Sequence, residues 1–296
     1  MRAAITGSSG LIGGAAGEML AGRGWTLTRV VRSAAASAPG RVTWQPEADR
    51  IDRAGLEAHD LVIHAAGEPI AGLWTPAKKR RIEQSRIEGT RLLSEALASL
   101  SAKPRLLVSI SASGFYGDRD PAEPMTEDKP AGSGFLAEVC VRWEAATRAA
   151  EDAGIRVVHA RLGNVMSPKG GILEVLKPIF RLGLGARFGS GEQIWPWIAL
   201  ADVTGAILHV IEHDALRGAV NFVAPEAVTN AELTRALAKA LNRPSFAIPS
   251  WAVRLAPGGM GEDMLLGGAR VVPQRLRDSG YRFRFPALRE ALQAVL

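Results

Sequence analysis

The stretch Thr6-Gly7-Ser8-Ser9-Gly10-Leu11-Ile12-Gly13 decides the fold. It follows a short apolar run, Ala3-Ala4-Ile5-Thr6, and opens a segment, Leu11 to Gly24, with small residues on one face (Gly14, Ala15, Gly17). Glycines spaced by three let a chain turn sharply out of a strand. They also let the backbone approach a pyrophosphate and the next helix seat on the sheet. The first turn of that helix offers N–H groups with no partner inside the helix, at the positive end of its dipole. Glycine spacing alone is weak, but here a strand precedes it and a helix follows. Gly7, Ser9, Gly10, Leu11, Ile12 and Gly13 are therefore candidate ligand-binding residues.

Working outward, Leu27 to Val31 reads as a second strand, and Arg32 follows it, 19 positions after Gly13. A carboxylate at that point would bind a free ribose 2′-OH, whereas a guanidinium forks onto a 2′-phosphate. NADP(H) is expected rather than NAD(H). The competing reading is a surface arginine in an arginine-rich chain. Val42 to Trp44 reads as a third strand, Asp60 to Ala66 as a fourth and Leu106 to Ile110 as a fifth, and a further strand starts at Ile155. Helices are expected over Pro76 to Leu100, capped by Thr75-Pro76, and over Phe135 to Ala153. Apolar strands alternating with helices imply a parallel sheet covered on both faces. Residues 183–197 are rich in glycine and aromatics and read as loop or cleft lining, whose Trp195 and Trp197 either face a substrate or pack the C-terminal domain. Further helices are expected over Asp202 to Glu212 and from Thr229, where Glu232 sits as a capping carboxylate. The expected fold is α/β, a Rossmann-like doubly wound parallel sheet with a smaller C-terminal substrate-side α/β domain. Residues 1–164 would bind nucleotide, with 198–222 returning to that domain, and 165–296 would form the substrate side.

The chain has 296 residues, 47% of them hydrophobic and 22% charged, which is globular composition. Lys plus Arg is 36 and Asp plus Glu is 30, so the net charge is +6 and the pI about 9.9. A basic balance invites a nucleic-acid reading, and Lys78-Lys79-Arg80-Arg81 is its best feature. Such a run on a helix is ordinarily a solvated face, and no nucleic-acid partner is expected. The one cysteine, Cys140, excludes an internal disulfide framework. No histidine or cysteine spacing suggests a metal. With no spanning apolar run and no leader pattern in Met1 to Gly7, the cytoplasm is the expected compartment and no membrane partner is expected. The expected partner is a small-molecule substrate, bound by a monomer or homodimer.

Several segments resemble the extended short-chain dehydrogenase/reductase family, of NAD-dependent epimerase/dehydratase type. Thr6-Gly7-x-x-Gly10-x-Ile12-Gly13 is similar to its phosphate turn and His64-Ala65-Ala66-Gly67 to its fourth-strand motif. Ser109-Ile110-Ser111-Ala112-Ser113-Gly114-Phe115-Tyr116-Gly117 is similar to its serine-bearing fifth strand, and Arg161-Leu162-Gly163-Asn164-Val165 to the segment beside the nicotinamide. A narrower resemblance, to an atypical branch called epimerase family proteins with a C-terminal domain of unknown function, rests on Ala66-Gly67-Glu68-Pro69-Ile70, Ser85-Arg86, Gly189-Ser190-Gly191 and Val272-Pro273-Gln274. The resemblance implies that Val31 and Arg32 lie at the adenosine 2′-phosphate. It implies that Ala65, Ala66 and Gly67 lie along the ribose and pyrophosphate, Arg86 toward the phosphates and Val165 near the nicotinamide. The implied activity is that of an oxidoreductase or epimerase on a carbonyl or sugar-nucleotide-like substrate.

That chemistry needs a phenol to pass a proton, an ammonium to lower the phenol's pKa and a hydroxyl to orient the substrate oxygen. The family carries the first two as Tyr-x-x-x-Lys on the helix after the fifth strand. The matching segment, Gly134 to Glu144, has Phe135 and Val139 at that spacing and neither a tyrosine nor a lysine. Ser111 stands at the serine position, and Tyr116, one of two tyrosines in the chain, is a substitute acid or a packing residue. Ser111 and Tyr116 are the candidate catalytic residues. A binding protein that holds NADPH without turnover is the alternative.

Overall fold

Single residues alternate between two cores along the buried strands. Ala3 and Ile5 face one apolar cluster and Ala4 the other, and Leu61 and Ile63 oppose Val62 in the same way. Period-two alternation between two apolar faces requires helices on both sides of the sheet. The computed structural model, which describes residues 1–32 and 40–296, has that arrangement. Its central sheet contains β1 (Arg2–Thr6), β2 (Thr26–Val31), β3 (Arg41–Gln45), β4 (Arg50–Ile51), β5 (Leu61–His64), β6 (Leu106–Ala112), β7 (Arg156–Leu162) and β8 (Gly218–Phe222). The strand order is β8-β7-β6-β5-β1-β2-β3-β4, with every pair parallel except β3 with β4. The chain leaves β1 toward β3 on one side and resumes at β5 on the other. Ligands bind outside the carboxyl ends of the strands at such a reversal.

The helices are α1 (Leu11–Ala21), α2 (Pro76–Ala98), α3 (Phe135–Ala145), α4 (Arg148–Asp152), α5 (Ile172–Arg181), α6 (Leu200–Glu212) and α7 (Asn230–Ala240). Ala16 and Leu20 of α1 and Val203 and Ile207 of α6 cover one face of the sheet. Leu92, Leu93 and Leu97 of α2 and Ala150 of α4 cover the other. Two caps read from sequence are present. Thr75 Oγ1 accepts from Lys78 N at 3.2 Å, and Thr229 and Glu232 form a reciprocal capping box.

Two expectations need revision. The helix expected over 135–153 is two helices, because Thr147 turns its hydroxyl back to Glu144 O (2.8 Å) and bonds His159 Nε2 (2.9 Å), which competes with helix propagation. The 183–197 segment contains a strand, Gly185–Phe188, paired in parallel with Ser245–Ile248. Its Trp195 and Trp197 are buried with Leu233, Leu237 and Leu288, so they pack the C-terminal region. The tail is tied down by one buried carboxylate. Asp202, in the first turn of α6, accepts from Arg284 N (2.7 Å), Phe285 N (2.9 Å) and Tyr281 OH (3.0 Å).

Candidate functional site

The quoted glycine stretch forms a turn with no room for side chains. Gly7 has φ +63°, and a Cβ there would lie 2.5 Å from Ala65 O. A Cβ on Gly13 would lie 2.4 Å from Gly7 O. Gly10 N donates to Gly7 O (2.9 Å), and Gly10 caps α1 in an extended conformation with no side-chain hydrogen bond. The first turn of α1 also carries no acidic residue, so its dipole is uncompensated by the protein's own side chains.

This turn borders a cavity of about 720 Å³. Gly7, Ser9, Gly10, Val31, Arg32, Ala65, Ala66 and Gly67 line it. The wall also takes in Trp44 and Glu47 at and just after β3 and Arg81, Gln84 and Glu88 of α2, of which the sequence singled out only Arg81, within the basic run. Arg32 is exposed there and has no carboxylate within 4 Å among the described residues. Leu11, Ile12, Gly13, Arg86 and Val165 are not among the residues that line the cavity; Leu11, Ile12 and Val165 pack in the apolar cluster on one face of the sheet.

Beneath the turn runs a chain of neutral hydrogen bonds. Thr6 Oγ1 accepts from Ala65 N (3.0 Å) and Ala66 N (3.2 Å), so its proton goes to His64 Nδ1 (2.8 Å). The other ring nitrogen, Nε2, must then carry the hydrogen it donates to Thr90 Oγ1 (2.9 Å), which also accepts from Trp143 Nε1 (2.9 Å). The network assigns this tautomer. Complete burial pushes the His64 pKa down to about 4, so the ring stays neutral.

Arg86 sits behind Gly67. Its Nη1 donates to Glu68 O (3.0 Å) and Ile82 O (3.1 Å), and its guanidinium stands 5.0 Å over the Trp143 ring. It has no carboxylate within 4 Å among the described residues, and burial lowers its pKa. Glu68 offsets part of its charge from a distance, but a half-buried cation with no direct ion pair is stabilised further when an anion arrives.

The structure brings Ser111 and Tyr116 into one buried network. Ser111 Oγ donates to Glu144 Oε1 (2.7 Å). Glu144 takes a fork from Arg161 Nε and Nη2 (both 2.9 Å), and Arg161 Nη1 donates to Tyr116 OH (2.9 Å). Tyr116 OH donates to Asn221 Oδ1 (2.8 Å), whose backbone N donates to Glu127 Oε1 (3.0 Å). The Arg161 guanidinium also lies 3.4 Å over the Phe115 ring. Burial raises the Tyr116 phenol further above its usual range, and it raises Glu127, whose Oε2 is buried without a partner. Sequence reading assigns no part in this network to Glu144, Asn221 or Glu127 and includes Arg161 only within a motif, so it misses the pairing of Glu144 with Arg161. They lie on different elements, and no local pattern marks their pairing.

At the start of α3, Phe135 packs edge-on against Trp74 (5.3 Å between ring centroids), with the Lys79 ammonium 4.7 Å above its ring. Asp263, from a π-helical segment (Gly261–Leu266), accepts from Phe135 N at 3.1 Å, and burial raises its pKa. These are the protic groups beside the position where the resemblance puts a phenol. Cys140 faces Ala112 O (3.8 Å) and burial pushes it up to about 12, so it is an inert thiol. Among the described residues no cluster of three metal-ligating side chains occurs, and no helix is long and apolar enough to cross a membrane.

Residues 3–223 match the NAD dependent epimerase/dehydratase family, and residues 248–295 match a domain of unknown function, DUF1731. The chain is 43% identical over 291 residues to the epimerase family protein Mb2239 of Mycobacterium bovis, covering 98% of this chain and 95% of that one. A crystal structure of human epimerase family protein SDR39U1 (isoform 2) with NADPH superposes with a TM-score of 0.89 at 34% identity, covering 100% and 99% of the two chains. The nucleoside-diphosphate sugar epimerase from Corynebacterium glutamicum superposes with a TM-score of 0.80 at 34% identity, covering 99% of this chain and 57% of that one.

Proposed function

The chain belongs to the NAD dependent epimerase/dehydratase family, and from that premise we propose that it is an NADP(H)-dependent oxidoreductase or epimerase acting on a carbonyl or sugar-nucleotide-like substrate. One observation carries the cofactor assignment: the glycine turn, the uncapped α1 and Arg32 all border the same cavity. The residues fit a dinucleotide. Gly7 and Gly13 leave backbone where a Cβ would intrude, α1 presents its free amides, and the volume suits a bound cofactor. Arg32 would fork onto a 2′-phosphate and Arg86 would supply the second cation. Ala65, Ala66 and Gly67 would wall the ribose and pyrophosphate, and Val165 would lie toward the nicotinamide. The NADPH in the human relative supports this choice. When bound, the cofactor supplies hydride chemistry at its nicotinamide. In this reading residues 1–164 with 198–222 hold the nucleotide, and 165–296 form the substrate side.

Titration should give tighter binding of NADPH than of NADH, and Arg32→Asp should remove the difference. Equal affinity in the unaltered protein would falsify the assignment.

A second reading has its own support. The Ser111 hydroxyl is committed to Glu144 and the Tyr116 phenol to Asn221, and Phe135 and Val139 cannot carry a proton. A chain so arranged would hold NADPH without turning it over. Stereospecific transfer of deuterium from labelled NADPH into a product would exclude this reading. Loss of that transfer in Ser111→Ala would place the serine in the reaction.

A further inference from the structure

Twelve large apolar side chains are exposed among the described residues, and eight of them fall between residues 175 and 255. On α5, Val175, Ile179 and Leu182 recur at i, i+4 and i+7, a single outward stripe. The stripe continues through Leu184, whose N donates to Ile179 O (3.0 Å), onto the strand Gly185–Phe188. That strand pairs with Ser245–Ile248, all four of whose residues are exposed, Phe246 and Ile248 included. Arg243 Nε holds the two segments together by donating to Arg181 O (2.9 Å). Trp251 (68% exposed) stands on the short helix that follows, Ser250–Val253, and Leu255 (75%) just after it. Exposed apolar side chains gathered in this way mark an interaction site.

The charges around it select the partner. Residues 172–190 and 241–256 contain Lys177, Arg181, Arg187, Arg243 and Arg254; Glu174 lies among them, and Glu262 pairs with Arg254 (3.2 Å), so the rim keeps an excess of cations over acids. A second copy of the chain would set this basic rim against a like one. An anionic surface complements it. Leucines, an exposed tryptophan and a phenylalanine rimmed by arginines are the composition of a face that lies in the plane of a membrane interface.

We propose that this face docks on the surface of an anionic lipid bilayer, with the apolar side chains among the acyl boundary and the cations on the headgroups. The expectation of no membrane partner rests on the lack of a spanning run, and an in-plane contact does not need one.

The chain reports on this contact optically. Six of its seven tryptophans are buried, and Trp251 is the exposed one. The full chain should co-float with phosphatidylcholine vesicles containing a quarter phosphatidylglycerol and not with phosphatidylcholine alone. Its emission should shift to the blue, and brominated lipid should quench it. Leu182→Ser with Leu255→Ser should abolish flotation without changing the unfolding midpoint. Trp251→Phe should keep flotation and lose the spectral shift. Arg181→Gln and Arg254→Gln should each weaken low-salt binding roughly five-fold. Failure to bind anionic vesicles at low salt overturns the proposal, as does flotation unchanged by the serine substitutions. A dimer seen by light scattering and broken by those substitutions also overturns it, by placing a second copy on this face.

Discussion

Two chains of hydrogen bonds run through the carboxyl end of the sheet, and they differ in charge. Trp143, Thr90, His64 and Thr6 form a neutral chain under the phosphate turn, in which Thr6 donates to His64 and both His64 and Trp143 donate to Thr90. Ser111, Glu144, Arg161, Tyr116, Asn221 and Glu127 form a charged chain behind β6, β7 and β8. The neutral chain spends its donors internally and leaves the amides of α1 free toward the cavity. The charged chain consumes the groups that would do chemistry. A polar network inside a protein can therefore frame a ligand site or occupy one, depending on where its last free donor points.

The largest expected effect breaks the charged chain. Arg161→Met leaves the Glu144 carboxylate buried without its partner and should cost about 3–5 kcal/mol in denaturant unfolding. Adding Glu144→Leu should recover most of that loss, and failure to recover would mean that the pair does more than neutralise itself. The next effect is acid sensitivity of the neutral chain. His64 titrates near 6.5 in the unfolded chain and near 4 in the fold, so the unfolded state holds a proton that the native state lacks between those values. Stability should fall as pH drops through that window, by roughly 3 kcal/mol from this group. His64→Gln should flatten the slope by about that amount.

A smaller effect comes from Thr90→Val, which orphans the His64 and Trp143 N–H donors. It should cost about 1–3 kcal/mol. It should also weaken NADPH binding, since the direction in which Thr6 holds Ala65 and Ala66 is then no longer enforced. The smallest effect is a gain. Burial raises Glu127, so ionising it above its native pKa opposes folding, and that penalty disappears in acid where both states are protonated. Glu127→Gln keeps the acceptor for Asn221 N and Arg275 N. It should raise the thermal midpoint at pH 7.5 and leave it unchanged in acid below the unfolded-state carboxylate range, where both states are protonated.

The comparison also separates what the sequence makes visible. The phosphate turn is local: its glycines, strand and helix lie within 20 residues, and each constraint is steric. The place of Arg32 at the cavity was reachable because one helix, a turn and one strand fix its distance from Gly13. The capping box at Thr229 was equally legible, since its partner is three residues away. Glu144 and Arg161 were not. They meet across α3 and β7, and nothing at either position announces the other. The tryptophans of 183–197 left two readings open for a related reason, because glycine-rich aromatic sequence fits a cleft lip and a packed core alike, and the packing against α7 decides for the core. The outward stripe on α5 has a plain helical period, but exposure depends on whether another element covers it.

The carboxylate of Asp202 has a consequence for the order of assembly. Its charge sits in the first turn of α6, and its three donors come from residues 281–285, 79 to 83 positions later. Without those residues the charge would lose its three donors, which opposes the docking of α6 against the sheet. Residues 281–285 thus act as a lock. A variant cut after residue 280 should leave α6 open to protease, and the chain that carries 281–285 should protect it.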